Sequence, residues 1–341
     1  MRKPLFIIRE KGKFGFMDAS GETVIEPQYF QVEDFYNGYS RILFNDKPVH
    51  LDAVGRLLMK HSFKYVGLFE ENLAKVQLVN LWGFIDGRGR LVIDVQYDEA
   101  GDFSEGLAPA RIQGKMGYID KSGDYIIPPT YDTASEFHND RAAVSFRNRY
   151  GLINKTGEMI VMPQFDRIFD FQGDLAAFVL EEKWGLLNKA GEIVLEASYD
   201  WIEGTSEGDF YEDLAIIVRD NKYGFVNVLG EEVVKPVFDF AADFSESFAL
   251  IEIDGKFGYI DKHGKIILPP VYEDAGGFSN GLAPVKINGH WGYINKAGKM
   301  AINPIFDEAG AFKNGLARVV KDDLWAYVDN RSKLVWLETE V

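Results

Sequence analysis

The sequence predicts an all-β fold built from tandem copies of one small antiparallel unit. Three observations carry that prediction. A short motif returns at a period of 34 residues, the apolar runs between returns are four to six residues long, and glycine, proline or asparagine closes them. Runs this short do not sustain helices, and their closing residues are those of hairpin turns.

The motif is an aromatic residue followed by glycine, then Asp or Asn three residues later and a second glycine three further on. It stands at Phe14-Gly15, Trp82-Gly83, Tyr150-Gly151, Trp184-Gly185, Tyr223-Gly224, Phe257-Gly258 and Trp291-Gly292. Met116-Gly117 keeps only the glycine of the pair, and Trp325-Ala326 is a worn last copy. Between Gly83 and Gly292 the glycines are 34 residues apart except for one step of 39. The gap of 68 between Gly15 and Gly83 holds a degenerate second unit, Pro48-Val49-His50-Leu51-Asp52 with Gly55. Residues 1–341 are thus one array of ten units, degenerate in its second and last members, with a five-residue insertion between Tyr199 and Phe210.

Within a unit the first run is Leu282-Ala283-Pro284-Val285-Lys286-Ile287, closed by Asn288-Gly289. Asn-Gly favours a two-residue turn with positive φ at both positions. His290 to Asn295 follow as a second strand. Lys296-Ala297-Gly298 turn the chain into a third, Lys299 to Ile302, which stops at Pro304. The remainder, Ile305 to Gly315, is expected to be a structured connector with one helical turn. Aromatic residues recur at four places: before the glycine, one residue after it, after the proline, and in the connector. Thirty-three of the 48 aromatics lie there, as expected of a core stacked between units, with a sugar- or base-stacking platform the sharper alternative.

Lys183-Trp184-Gly185, His290-Trp291-Gly292, the Asp/Asn-Lys-x-Gly turn and Gly281-Leu282-Ala283 resemble the bacterial WG (KWG) repeat over essentially the whole chain. The resemblance implies tandem β-meanders and a binding or scaffolding role, with no catalytic residues to carry over. Three strands in 34 residues and ten units favour an open twisted superhelix, or solenoid. The alternative is a closed β-propeller-like ring, against which stands the lack of a spare strand to pair the two ends.

Chemistry is sparse. None of the five histidines sits in a zinc-binding or nucleophile-elbow motif, there is no phosphate loop and no cysteine, so no catalytic, metal or cofactor residue is assigned. Two acidic columns, Asp18 to Asp329 and Asp98 to Asp307, are expected to cap turns. Asp and Asn interchange in the first, which a turn tolerates and a cation ladder does not. The better candidates are departures from the repeat. Around the insertion these are Trp201, Glu203, Glu207, Asp209, Glu212 and Asp213, joined by Glu181 and Glu182. A secondary group is His138, Arg141, Arg147 and Arg149.

With 37 Lys+Arg against 53 Asp+Glu the net charge is −16, unfavourable for nucleic acid or an anionic membrane surface. Residues 151–250 hold 7 of those bases and 20 of those acids, so the acidity belongs to the middle units. No apolar run is long enough to span a membrane, and the start of the chain is too short in apolar residues for a signal peptide. The expectation is a monomeric, non-catalytic scaffold that holds a cationic protein or peptide through the insertion and the acidic middle units. A carbohydrate or cell-envelope binder using exposed aromatics is the alternative.

Overall fold

The structure, a computed structural model, describes residues 4–45, 47–58, 63–202 and 210–339. Every regular element among them is a β-strand. The strands form ten small antiparallel sheets, eight of four strands and two of three. Contacts group the chain into two compact units, one made of residues 1–7, 12–17 and 23–197, the other of 8–11, 18–22 and 198–341.

One sheet shows how the repeat folds. The outer strand Asp274–Ala275 pairs with Leu282–Ile287, that with His290–Asn295, and that with Met300–Phe306. Asn288 and Gly289 take φ of 50° and 81°, the doubly left-handed turn that Asn-Gly predicts. In all ten sheets the first-column Asp or Asn accepts, through Oδ1, the backbone N–H two and four residues on. An amide oxygen serves there as well as a carboxylate, which explains the interchange of the two residues.

The glycine of the motif has a steric cause. Tyr293 lies opposite Ile302 but Trp291 lies opposite Phe306, so the third strand bulges between them. The bulge carries its backbone over Gly292, where an added Cβ would stand 2.6 Å from the Ile302 carbonyl oxygen and 2.7 Å from the Pro304 nitrogen. The corresponding glycines from Gly15 to Gly258 meet the same obstruction. The two worn units lack it. Ala326 faces Leu337 and Tyr327 faces Trp336 in regular register. Opposite Val49's neighbours, the third strand Leu57–Leu58 pairs only with His50 and Leu51 among the described residues.

The core follows three of the four aromatic columns. Phe16, Phe84, Tyr118, Phe225, Tyr259 and Tyr293 are buried, as are the after-proline column from Tyr29 to Phe306 and most connector phenylalanines. Successive sheets share them: Tyr259 meets Phe278 at 4.9 Å and Tyr293 meets Phe312 at 5.0 Å between ring centroids. Aromatics immediately before the glycine are only half-buried.

Two expectations need correction. The connector makes no helical turn. It supplies the fourth, outer strand of the following sheet, as Glu99–Ala100 does against Ala110 and Arg111. That pairing satisfies backbone groups a three-stranded edge would leave open. The open solenoid is the second correction, because four-stranded sheets of this kind are propeller-like and the array's first and last sheets meet. Within the second unit, the Arg9 guanidinium donates twice to the Glu338 carboxylate, at 2.7 and 2.8 Å, and lies 4.7 Å from the Trp325 ring. Gly21 packs against the Val335 backbone. These contacts tie residues from near the two ends of the chain by side chains, without strand pairing, inside that unit.

Candidate interaction surface

Each sheet has two ends. At one lie the turn before the first inner strand and the Asp/Asn turn; at the other lies the hairpin between the inner strands. Both ends carry a repeated tie to the neighbouring sheet. At the hairpin end the second acidic column accepts a turn N–H of the next hairpin: Asp132 from Arg147 at 2.7 Å, Asp166 from Glu181 at 2.7 Å, Asp239 from Asp254 at 2.8 Å, and Glu273 from Asn288 and Gly289 at 2.9 Å each. The same acids pair with Lys115, Arg149 and Lys222 of the preceding sheet.

The other end carries a ladder. Glu71, Glu105, Glu212 and Glu246 sit at φ near 50° and accept backbone N–H groups 34 or 35 residues on. Each also holds a lysine 50 residues on: Lys121 at 3.0 Å, Lys155 at 2.9 Å, Lys262 at 3.0 Å and Lys296 at 3.2 Å. Burial raises the Glu105 and Glu212 carboxyls, but the lysine and backbone donors outweigh it and hold both below the ordinary glutamate range. The ladder's signal in the sequence is a recurring Glu-to-Lys spacing of 50 residues, which crosses unit boundaries and is not visible within one repeat.

The predicted site residues fall into three groups. Glu203, Glu207 and Asp209 lie outside the described residues. Glu212 is engaged in the ladder, while Asp213 beside it is exposed. Trp201 is 36% exposed on the outer strand, opposite Val218. Glu181 and Glu182 form a hairpin turn, both exposed, at φ of 51° and 64°. The secondary basic group is not one cluster. His138 and Arg141 lie at the opposite end of strand Ala142–Phe146 from Arg147 and Arg149. Arg141 donates to the Lys189 carbonyl at 2.8 Å, Arg149 pairs with Asp166, and His138 lies 3.9 Å from Asp170. Among the described residues no group of His, Asp or Glu is arranged to hold a metal ion, and no helix is long and apolar enough to cross a membrane.

The model of the WG containing repeat matches eight times, at residues 14–47, 82–115, 116–150, 150–184, 184–223, 223–257, 257–290 and 291–325. The chain belongs to the WG-repeat family. No curated protein matches it. Similar solved structures include a eukaryotic initiation factor, at TM-score 0.53 and 10% identity over 99% of this chain and 96% of that one. BamB from Moraxella catarrhalis matches at TM-score 0.39 and 12% identity, over 86% and 92%. The first likeness is one of fold alone.

In this WG array the column acids are engaged either in capping their own turns or in the ties that set sheet against sheet. What remains for a partner is at departures from the repeat. Glu181-Glu182 is one such departure: the turn takes positive φ twice and holds neither asparagine nor glycine, as does Asp322-Asp323 in the last sheet. No side-chain partner engages either carboxylate among the described residues.

Proposed function

We propose that this WG array is a non-catalytic scaffold that binds a cationic protein or peptide through its acidic middle units. The observation that carries the reading is the turn at Glu181 and Glu182. Two glutamates in left-handed backbone cost about 1 kcal/mol each relative to residues suited to it. The turn therefore displays two unpaired carboxylates at the expense of stability, in a stretch with 20 acids against 7 bases. Trp201 and Asp213 are further exposed groups of the same stretch, the first apolar and the second charged. Rigid sheets hold these groups without ordering cost, and their field speeds the approach of a positive partner.

The test replaces Glu181 by Asn and Glu182 by Gly in the full chain. Unfolding free energy should rise by about 1–2 kcal/mol, while binding of a fluorescent arginine-rich peptide at low salt weakens. Unchanged peptide binding in the stabilised variant defeats the reading. Exposed Trp201 favours the second reading, a carbohydrate binder: glycan-array binding that disappears in Trp201→Ala, without peptide binding, would establish it instead.

A further inference from the structure

The lysine ladder is an internal template for what its gaps accept. Where the ladder is intact, an ammonium sits between adjacent sheets and bonds to a glutamate carboxylate and to a backbone carbonyl. Lys262 and Lys296 reach the carbonyls of Glu212 and Glu246 at 2.9 and 3.0 Å. At several gaps both partners are missing, and in one of them Asn37 stands where the glutamate belongs and Gly87 where the lysine belongs. A cleft of about 310 Å³ opens there, lined by Asn37, Tyr39, Phe69, Glu71, Asn72 and Gly87. A second cleft, about 550 Å³, opens where Asn314 and Ala19 hold the same two positions. The lysine is replaced at both clefts, as it also is by Val228 and Asn330 in other gaps.

The first cleft has the chemistry of the missing side chain. The Tyr39 and Phe69 rings, 4.4 Å apart at 37°, form an aromatic wall suited to an alkyl stem and its cation. Asn37 donates from Nδ2 to the Phe69 carbonyl at 2.9 Å, and its Oδ1 accepts no hydrogen bond among the described residues. Glu71 borders the cleft and is already paired with Lys121, as Asp102 is with Lys75, and both acids act on the neighbouring Glu70. Burial, together with those two carboxylates, raises the Glu70 carboxyl despite its hydrogen bond from Tyr36. The second cleft has no aromatic wall and is lined by Lys333, which opposes a cation.

We propose that the cleft between Asn37 and Gly87 binds a lysine side chain of a partner peptide, its ammonium taking the position that Lys121, Lys155, Lys262 and Lys296 take elsewhere. The inference rests on the cationic-peptide reading above and assigns it a second, lysine-specific contact. A compact ammonium with three donors matches the ladder, whereas the planar arginine fork does not.

The experiment titrates the full chain with a fluorescent Gly/Ser peptide carrying one lysine, its Nε-acetyl form, its arginine form and n-butylamine as competitor. The lysine peptide should bind, and acetylation or arginine should weaken it about tenfold or more. Gly87→Lys refills the gap from within. Gly87 has no left-handed φ, and its Cβ would stand 2.7 Å from the Tyr39 hydroxyl, which donates to the Gly87 carbonyl, so this variant should lose the peptide while displacing one side-chain hydrogen bond, and far-ultraviolet circular dichroism checks that it stays folded. Asn37→Glu restores the ladder carboxylate and should tighten binding, a direction that misfolding cannot produce. No binding by the unaltered chain, or equal binding by Gly87→Lys, overturns the cleft. Competition by n-butylamine at the peptide's own concentration overturns the peptide as its source. Glu181→Asn/Glu182→Gly should leave lysine-peptide binding in place, so the two readings fail separately.

Discussion

Replacing Gly117 by Ala tests the physical basis of the motif. The new Cβ would lie 2.5 Å from the Ile127 carbonyl oxygen, 2.7 Å from the Pro129 nitrogen and 2.8 Å from the Pro128 carbonyl carbon. All three atoms are backbone, and two prolines stiffen the strand that carries them, so relief requires shifting the bulge by several tenths of an ångström. Overpacking costs about 1–3 kcal/mol, and a backbone obstacle puts this case near the top, about 3 kcal/mol. For a chain of this length unfolding as one unit, that is a fall of about 4 °C in Tm. The control is Ala326→Gly, where the facing strand is in regular register and only flexibility is added, for about 0.5–1 kcal/mol. Urea unfolding followed by tryptophan fluorescence and far-ultraviolet circular dichroism measures both. A loss below about 1 kcal/mol for Gly117→Ala, or one no larger than the control, refutes the close-approach argument.

Four further outcomes follow from the ties and the buried groups. Asp120→Asn should be nearly neutral and Asp120→Ala should cost about 1 kcal/mol in urea, because the turn needs an oxygen and not a charge. Glu105→Ala should cost about 2 kcal/mol and Lys155→Met about 0.5 kcal/mol, since Glu105 also satisfies two N–H groups; equal losses would contradict that order. Arg9→Ala should cost about 2–3 kcal/mol by leaving the buried Glu338 carboxylate unpaired. Arg9 is the main reason Glu338 titrates below its ordinary value, so the pair's contribution is present above that value and declines as pH falls through the lowered one. His50 is 1% exposed, bonded only through Nε2 to the Gly67 carbonyl, and burial lowers its pKa to about 4. The unfolded chain then binds its proton first, so stability should decline by about 3 kcal/mol as pH falls from 6.5 to 4, and pH-dependent urea unfolding of His50→Gln should lack that decline.

What the sequence made legible was whatever is local. Asn288-Gly289 specifies its own turn, and the Asp/Asn column needs only the next four residues to accept its hydrogen bonds. The glycine before the bulge was legible as a position but not as a cause, because the obstruction comes from Ile302, ten residues away in another strand. The outer strand was hidden for a different reason: Asp274–Ala275 is two residues long and shows no alternation. The contact between Arg9 and Glu338 was not legible because it is made by side chains 329 residues apart and not by strand pairing. Among candidate site residues, Glu181 and Glu182 stood out by charge and the repeat pattern did not reveal their left-handed turn, nor could it show that Glu212 is engaged with Lys262 and Ser247. It also grouped Arg141 with Arg149, which adjacency in sequence suggested and opposite ends of one strand forbid.

The net charge of −16 therefore overstates the charge displayed to a partner. An acid in a column is paired with a neighbouring sheet's lysine or arginine, or saturated with backbone N–H groups, and its field is largely spent inside the array. Exposed acids outside the columns, Glu181, Glu182 and Asp213 among them, keep theirs. The same logic applies in reverse at Asn37 and Gly87, where removal of an internal ion pair leaves a gap shaped by that pair. Regular ties make each unit's geometry a reference for the others, so a departure reports both where the array is free to interact and which chemical group its neighbours are already built to hold.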